Sequence, residues 1–258
     1  MEELIFEVNE NVATITLNRP DKYNSINKNL AFGIQSSLDQ CENDENIRCI
    51  VITGKGKAFC AGQDLAEVVA ADSLSLSSIV ETYYNPIITK IRNIKKPVIA
   101  AVNGVAAGAG ANIALACDIV IAHENASFIQ AFSKIGLIPD SAGTYILPRL
   151  IGFQRASALI MTGDKVSAAE AFQMGMIYKM YDENTFENSY KSLALTLSKM
   201  PTYALGLSKM ALNKSMNNTL ESQLSLEHEY QTLAGNSYDY NEGVQAFIEK
   251  RKAEFKGK

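Results

Sequence analysis

Continuous apolar runs alternate with segments of helical periodicity through the first two thirds of the chain. Such runs are typical of strands buried on both faces of a parallel sheet. They read RCIVITG, KKPVIAAV and CDIVIAH, followed by the shorter IYKMY. Apolar residues at helical spacing stand between them, beginning with Leu30, Ile34, Leu38 and Cys41. Because parallel strands need a crossover connection, usually a helix, the alternation predicts an α/β fold with largely parallel pairing.

The two ends of the chain depart from this alternation. Near the N-terminus, apolar and polar residues alternate over 4–8 and again over 13–17, which predicts a pair of strands joined by a short turn. From about residue 185 the strand signals stop and helical signals continue. We therefore predict a core over 1–184 and a helical region over 185–258. With no sheet to cover, that region would wrap its own core or pack on another subunit.

Composition argues against several classes of function. The 258 residues carry a net charge of −4 with scattered Lys and Arg, so we expect no nucleic-acid partner and no basic membrane face. Acids near the N-terminus, where a signal peptide has Lys or Arg, and the lack of a long apolar run predict a cytoplasmic protein. Four widely spaced cysteines predict buried thiols, and two distant histidines predict no metal site.

Two segments rich in small residues follow strand-like runs, GKGKAFCAGQDL at 54–65 and VNGVAAGAGANIALACD at 102–118. If the two strands belong to one sheet, both segments open at its C-terminal edge, where ligands of α/β proteins bind. Small residues let backbone N–H groups approach a ligand, and a helix N-terminus adds the positive end of its dipole. Two converging N–H donors would form an oxyanion hole for a carbonyl substrate.

The second segment has two other interpretations. Gly108 and Gly110 half-match a dinucleotide-binding fingerprint, although Ile113 stands at the third glycine position and the segment lies too far along the chain for a first βα unit. A nicotinamide-dependent oxidoreductase is therefore kept as an alternative. Close packing of a helix would also use such small residues without binding anything.

Five segments, in this order, resemble the enoyl-CoA hydratase/isomerase (crotonase) family over nearly the whole chain. They are NRPDKYNSIN (18–27), GKAFCAGQDL (56–65), PVIAAVNGVAAGAGANIALACDIVIA (97–122), FSKIGLIPDSAGTYILPRLIG (132–152) and EGVQAFIEKRKAEFKGK (242–258). The resemblance implies a crotonase-like spiral of ββα units with a helical C-terminal trimerisation region, and a homotrimer or homohexamer. It also implies an acyl-CoA thioester as substrate, and no cofactor beyond the coenzyme A that the substrate carries.

The resemblance also assigns roles to residues. The two oxyanion-hole donors would be the backbone N–H groups of Gln63 and Ala109, the latter flanked by Gly108. Asp64 would sit at the acidic position beside the first loop, and Lys22 would be a phosphate partner. The path of the nucleotide and pantetheine would be lined by the loop around Lys22, Tyr23 and Ser25, together with Ala61 and Leu65.

The hydratases of this family use two glutamates to hold and activate a water, and the aligned positions hold Asn112 and Phe132. Neither side chain can exchange a proton, although Asn112 can orient a group or hold a water and Phe132 would exclude one. Asp140 is the carboxylate that remains in the segments aligned with the reacting end. In the family, an acid at this position occurs in isomerases, where a single base moves a proton while the oxyanion hole holds an enolate.

Local sequence offers a different role for Asp140. Pro-Asp-Ser before an apolar run is a good helix N-cap, and from local sequence alone the cap is favoured. The loss of both glutamates reverses that preference, because Ser141 could serve as the cap and leave Asp140 free. As a base, Asp140 would be desolvated by Ile135, Leu137 and Ile138, together with Phe132, which would raise its pKa toward the working range.

The sequence therefore favours an acyl-CoA isomerase. Within the family, FIQAFSKIGLIPDSAGT and GAGANIALACD are most similar to the ring isomerases of phenylacetate degradation, which act on 1,2-epoxyphenylacetyl-CoA. Ala142, where glycine is usual, and Tyr145, where tryptophan often stands, depart from that pattern. The alternatives are an enoyl-CoA double-bond isomerase, an enoyl-CoA hydratase and a non-catalytic protein that binds CoA esters.

Overall fold

The structure is a computed structural model that describes residues 2–68 and 74–258. In this part of the chain the strands are β1 (Leu4–Asn9), β2 (Val12–Leu17), β3 (Cys49–Gly54), β4 (Ala58–Cys60), β5 (Val98–Val102), β6 (Val105–Ala107), β7 (Ile119–His123), β8 (Ser127–Ile129), β9 (Lys165–Ser167) and β10 (Lys179–Tyr181). They form a six-stranded sheet in the order β1-β2-β3-β5-β7-β10 and a four-stranded sheet in the order β4-β6-β8-β9. β1 and β2 pair antiparallel, and every other neighbouring pair of the larger sheet is parallel.

The helices connect and cover these sheets. They are α1 (Lys28–Asn43), α2 (Leu65–Val68), α3 (Leu76–Ile79), α4 (Asn85–Asn93), α5 (Ala109–Ala116), α6 (Gly143–Ile151), α7 (Phe153–Thr162), α8 (Ala168–Gln173), α9 (Phe186–Ser198), α10 (Thr202–Ser215), α11 (Leu220–Gly235) and α12 (Tyr238–Glu249). A π-helical stretch, Val80–Tyr84, joins α3 to α4.

Three times along the chain, two consecutive strands lie in different sheets. β3, β5 and β7 lie in the larger sheet, and β4, β6 and β8, which follow them along the chain, lie in the smaller one. A helix follows each pair, namely α2, α5 and, after a 3-10 turn, α6. This repeated β-β-α order confirms the predicted crotonase-like fold. The sequence interpretation treated 54–65 and 102–118 as loops after strands of one sheet, and it missed the three-residue strands β4 and β6 inside them.

The predicted helical periodicity of α1 is confirmed and has a clear local cause. Asn27 caps the helix by accepting a hydrogen bond from the Leu30 N–H at 2.9 Å. The apolar face carries Ile34 and Leu38, which are buried against the sheet. The four cysteines are free and buried, as predicted, and burial raises the pKa of the Cys60 thiol to about 12.

The predicted helical character after residue 185 is confirmed, but its expected relation to the sheet is wrong for α9. Phe186, Tyr190 and Ala194 of this helix pack on Val51 and Ile99 in the larger sheet. Beyond α9, helix α10 packs against α11, and α11 contacts α12. Within the described ranges, no helix has both the length and the apolar character needed to cross a bilayer.

Candidate active site

The two segments rich in small residues meet because their short strands are neighbours. β4 pairs parallel with β6, with Ala58 opposite Val105, so the residues that follow both strands leave the smaller sheet at the same edge. At this edge Gly62 has a positive φ of +89°, and a Cβ there would lie 2.9 Å from the Ala107 carbonyl oxygen and 3.5 Å from the Ala109 nitrogen. Only glycine permits this backbone conformation and this close approach together.

The amides of Gln63 and Ala109 lie on these adjoining segments. Gln63 forms a parallel bridge with Ile26, in which Ile26 N–H donates to the Gly62 carbonyl and Asp64 N–H donates to the Ile26 carbonyl. Gln63 N–H is therefore directed away from this bridge. Ala109 begins α5, where the first N–H groups have no acceptor inside the helix. Neither amide donates to another of the residues that the structure describes, so both can donate to a ligand.

The Gln63 side chain is held by two residues that the sequence interpretation did not identify. Tyr84 Oη donates to Gln63 Oε1 at 2.6 Å, and Gln63 Nε2 donates to Glu67 Oε2 at 3.3 Å. Burial raises the pKa of the Tyr84 phenol, and the charges of Cys60, Asp140 and Glu67 raise it further. Tyr84 is therefore a neutral hydrogen-bond donor to the Gln63 side chain.

Asp140 is a half-buried carboxylate at the end of the loop before α6. Burial raises its pKa above the usual aspartate value, and a hydrogen bond from Ser141 Oγ to Asp140 Oδ1 at 2.8 Å opposes that rise. Its backbone carbonyl accepts two hydrogen bonds of 2.9 Å, from Gly143 N–H and from Asn112 Nδ2. The backbone of this residue is thus held in place, while its side chain interacts with a single hydroxyl.

The N-cap interpretation is wrong for both Asp140 and Ser141. Helix α6 begins at Gly143, and its N-cap position is Ala142, with no side chain capping the helix. Ser141 and Ala142 have φ of 51° and 60°, so two consecutive left-handed residues separate Asp140 from the helix. The chain turns before α6 starts, and the Asp140 carboxylate accepts no hydrogen bond from the first backbone amides of that helix. A glycine would adopt the Ala142 conformation without strain, which is a physical reason for glycine to be usual at this position.

Asn112 and Phe132 lie close to this region. Asn112 is on α5, one helical turn after Ala109, and its amide is used by protein partners on both sides. Nδ2 donates to the Asp140 carbonyl and Oδ1 accepts from Gln130 Nε2, each at 2.9 Å. Phe132 is buried, with its ring 3.9 Å from the position of a Cβ at Gly108, so it forms an apolar wall next to the second segment.

Three of the four side chains expected to desolvate Asp140 lie at the surface. Ile135, Leu137 and Ile138 are exposed, and 80% of the Ile138 surface is accessible. Ile135 is the last residue of a 3-10 turn, Ala131–Ile135, and Leu137 and Ile138 lie in the loop that follows its cap residue, Gly136. Burial nevertheless raises the pKa of Asp140, and Phe132, the fourth of these side chains, is buried.

The residues predicted to line the CoA path lie on two segments that are hydrogen-bonded together. Ala61 N–H donates to the Tyr23 carbonyl at 3.0 Å, which attaches the first loop to the segment that carries Lys22 and Ser25. Lys22 and Tyr23 are exposed, and Ser25 is buried. Leu65 is exposed at the start of α2. These positions put a lysine, an aromatic ring and an aliphatic side chain on one accessible face.

Asp64 belongs to the support of these segments rather than to their accessible face. Its carboxylate forms an ion pair with Arg19, with 2.8 Å between Asp64 Oδ2 and Arg19 Nη2, and both side chains are largely buried. Arg19 also donates to the Ser25 backbone carbonyl. Sequence reasoning missed Arg19, although the arginine lies inside the motif at 18–27.

Other potential ligand-binding features lie elsewhere. In residues 2–68 and 74–258, no group of three or more His, Cys, Asp or Glu side chains could hold a metal ion. A cavity of about 900 Å³ between α4, α6 and α10 reaches Ala142 and Ile146, but neither Gln63 nor Ala109 lines it. The arrangement that can act on a carbonyl compound is the pair of free amides with the carboxylate of Asp140.

Known proteins match the whole chain. A family model described as Enoyl-CoA hydratase/isomerase matches residues 7–258. The chain is 48% identical to the 1,2-epoxyphenylacetyl-CoA isomerase of Escherichia coli (strain K12), over 100% of both chains. It is 42% identical to a protein of Rhodobacter capsulatus named probable enoyl-CoA hydratase, over 98% of this chain and 97% of that one. A crystal structure of an enoyl-CoA hydratase from Bacillus anthracis superposes with a TM-score of 0.92, at 33% identity over 99% of this chain and 100% of that one.

Proposed function

The chain belongs to the enoyl-CoA hydratase/isomerase family, and within it we propose that the protein is a CoA-thioester isomerase with Asp140 as its base. The observation that carries the proposal is the position of the half-buried Asp140 carboxylate. The backbone carbonyl of Asp140 accepts a hydrogen bond from Asn112 of α5, one helical turn from the free amide of Ala109. Its raised pKa suits a group that must take up and release a proton. The 48% identity to a relative named 1,2-epoxyphenylacetyl-CoA isomerase supports this choice.

The proposed reaction moves one proton and leaves the enzyme unchanged. The thioester oxygen accepts hydrogen bonds from Gln63 N–H and Ala109 N–H, which stabilise the negative charge of an enolate. The Asp140 carboxylate removes a proton from the carbon next to the thioester, and the electron pair of that C–H bond enters the enolate. The protonated Asp140 then returns the proton to a different carbon, and the carboxylate is restored. Phe132 limits access of water to the intermediate.

We propose that the coenzyme A portion lies along the face formed by Lys22, Tyr23, Ala61 and Leu65. A lysine suits the phosphates, and exposed apolar side chains suit the pantetheine. The ion pair of Arg19 with Asp64 supports this face from behind, and Ser25 belongs to the same support. The reaction uses no cofactor beyond the coenzyme A of the substrate.

We propose a homotrimer or homohexamer, formed through the region 185–258, in the cytoplasm. This region exposes large apolar side chains on helices that follow α9, and such surfaces are typical of subunit interfaces. They include Leu212, Leu220, Leu224, Phe247 and Ile248, with 84% of the Phe247 surface accessible.

A hydratase is the second candidate, because the relative at 42% identity is named probable enoyl-CoA hydratase. Activation of a water by two carboxylates would need acids where Asn112 and Phe132 stand. The Asn112 amide is bonded on both sides, and Phe132 is apolar. Glu67 is a further carboxylate near Gln63, but its two oxygens already accept hydrogen bonds from Lys28 N–H and Gln63 Nε2.

The test compares two acid-to-amide variants on trans-3-hexenoyl-CoA, with formation of the conjugated 2-enoyl thioester as the measurement. Asp140→Asn is expected to lower kcat by ~10²–10⁴-fold, the usual range for loss of a general base. Glu67→Gln is expected to cause a much smaller loss. Binding of hexanoyl-CoA, measured by calorimetry, should stay unchanged in Asp140→Asn. Asp182→Asn, at an exposed turn before α9, is the control that should retain full activity.

Three results would contradict the proposal. Near-normal turnover by Asp140→Asn would show that another group is the base, and a larger loss in Glu67→Gln would identify that group. Rapid hydration of crotonyl-CoA by the unmodified protein would favour the hydratase. Binding of several acyl-CoA esters without exchange of their α or γ protons in D₂O would favour a non-catalytic protein.

A further inference from the structure

A buried row of amides leads from β8 to the backbone of Asp140. Gln130 Nε2 donates to Asn112 Oδ1, and Asn112 Nδ2 donates to the Asp140 carbonyl, both at 2.9 Å. Gln130 and Asn112 are 4% and 1% exposed, so solvent does not compete for these bonds. The row connects the smaller sheet, helix α5 and the loop before α6, which are the three elements around the proposed base.

The polarity of this row is fixed from its Asp140 end. A backbone carbonyl can only accept, so the Asn112 amide must present its NH₂ group to Asp140. Its oxygen then faces Gln130, which must present its own NH₂ group. The opposite orientation of Gln130 would place two oxygens against each other. Gln130 therefore stabilises the orientation of the Asn112 amide that the Asp140 carbonyl requires.

This orientation has a cost at Gln130. Its Oε1 atom is buried and has no hydrogen-bond partner among the described residues. A buried acceptor left unsatisfied destabilises the fold, and such groups in native proteins often belong to functional sites. A residue that served only to fill space would not need this orientation.

The loop that carries Asp140 needs such support. Ser141 and Ala142 both occupy the left-handed region without being glycine, which strains the backbone at each residue. A Cβ at Gly143 would lie 2.3 Å from Asn112 Nδ2, so the amide rests directly on the backbone that follows this turn. Asn112 thus holds both the carbonyl of Asp140 and the first residue of α6.

We propose that Gln130 is a positioning residue, which orients the Asn112 amide and thereby holds the Asp140 carboxylate in its reactive place. The inference rests on the proposed function of Asp140 as the base. It gives Asn112 a task other than binding substrate or water. It also explains why an amide stands where the hydratases of the family have a carboxylate, because an ionised carboxylate cannot donate to the Asp140 carbonyl.

Two variants of Gln130 test the inference on trans-3-hexenoyl-CoA. Gln130→Met has a similar shape and no donor, and we expect kcat to fall by ~10–100-fold with KM unchanged, as for a displaced catalytic group. The acid limb of its pH profile should move to lower pH, because a carboxylate released toward solvent loses the burial that raises its pKa. The matched control is Gln223→Met, which removes a side-chain bond between α11 and the Ala211 carbonyl far from the site.

Gln130→Glu keeps the shape and supplies a donor that depends on pH. Burial raises the pKa of a carboxyl group, so at low pH the protonated side chain can donate to Asn112 Oδ1. Above that pKa the carboxylate would repel the same oxygen. We expect Gln130→Glu to approach the unmodified activity at the acid end of the range and to behave like Gln130→Met at the alkaline end.

The outcomes separate this inference from the proposed function. Full kcat and an unmoved acid limb in both Gln130 variants, with Asp140→Asn inactive, would overturn the inference alone. A lowered melting temperature and a smaller active fraction with an unmoved limb would also overturn it, because they indicate a purely structural residue. An active Asp140→Asn variant would overturn both. The result that supports the inference is a loss of kcat at alkaline pH in Gln130→Glu that Gln223→Met does not show.

Discussion

At the Gln63 and Ala109 end of the site the backbone makes the contacts that fix the geometry, whereas at Asp140 side-chain amides make them. The first end consists of a strand pairing, a β-bridge with Ile26 and a close approach at Gly62. The second depends on the amides of Asn112 and Gln130. Side chains can be replaced one at a time, and a backbone pairing cannot.

This difference explains how one fold serves several reactions. The chain is 48% identical to a relative named as an isomerase and 42% identical to one named as a probable hydratase. A site for thioester oxygen built from backbone can stay the same through such changes, while the acids and amides around the reacting carbons are exchanged. The two ends should therefore respond differently to the same small substitution.

Among the glycine substitutions that compare the two ends, the largest effect is expected from Gly62→Ala, at the backbone end. The new Cβ would meet the Ala107 carbonyl oxygen at 2.9 Å, and the positive φ adds about 1–3 kcal/mol of strain. Because neither backbone segment can move alone, Gln63 N–H should be displaced. We expect kcat on trans-3-hexenoyl-CoA to fall by ~10²–10³-fold, the scale for loss of one oxyanion-hole donor.

Gly152→Ala is the matched control for this substitution. Gly152 has φ of +80°, and a Cβ there would meet nothing within 4 Å. It shares the conformational strain without the contact, so its melting temperature should fall while kcat stays unchanged. Equal loss of kcat in the two variants would mean that strain, rather than displacement of Gln63, explains the first result.

A smaller effect is expected from Gly143→Ala, at the side-chain end. Here the new Cβ would meet the Asn112 amide, with 2.3 Å to Nδ2, and the end of a side chain can shift where a backbone cannot. We expect a loss of kcat of ~10-fold with KM retained, since a modest misplacement costs less than a lost donor. The measurement is the same steady-state assay.

Gly235→Ala provides the comparison in this case. Gly235 ends α11, and a Cβ there would meet nothing within 4 Å, so both activity and stability should be retained. If Gly143→Ala lost more activity than Gly62→Ala, the side-chain end would be the less adaptable of the two. The distinction between backbone and side-chain construction would then be wrong.

The same distinction decides how much could be predicted from sequence. Alternating strand and helix periods predicted the α/β fold, and the resemblance to the enoyl-CoA hydratase/isomerase family implied Gln63 and Ala109 as backbone donors. The three-residue strands β4 and β6 were missed because a period cannot be read from three residues. Even so, their surroundings placed both segments at one edge of a sheet.

The side-chain end could be predicted only in part. Asp140 was identified by the absence of other acids, but its bonds to Asn112 and Ser141 were not. Gln130 and Tyr84 act through contacts 18 and 21 residues away in sequence, and no local pattern encodes where such a side chain points. The N-cap interpretation was wrong because Pro-Asp-Ser gives the same local signal whether or not a left-handed turn follows.

The smallest effect concerns the stability of Asp140→Asn. Burial raises the pKa of Asp140, so the folded protein favours its protonated form; the stability it contributes is present below the usual aspartate pKa and is lost as pH rises through the raised value. Asparagine does not ionise and can still accept from Ser141, so the variant should melt a little higher than the unmodified protein at pH 8. In a chain near this size, 1 kcal/mol corresponds to about 2–4 °C. The difference should shrink as the pH of the melting experiment is lowered.

Asp182→Asn should show the opposite sign. Hydrogen bonds to the Asp182 carboxylate, the strongest of them from the Thr185 side chain, lower the pKa of Asp182 and stabilise its charged form. If Asp140→Asn melted lower than the unmodified protein at pH 8, the charge of Asp140 would stabilise the fold, and Asp140 would be a structural residue rather than a desolvated base.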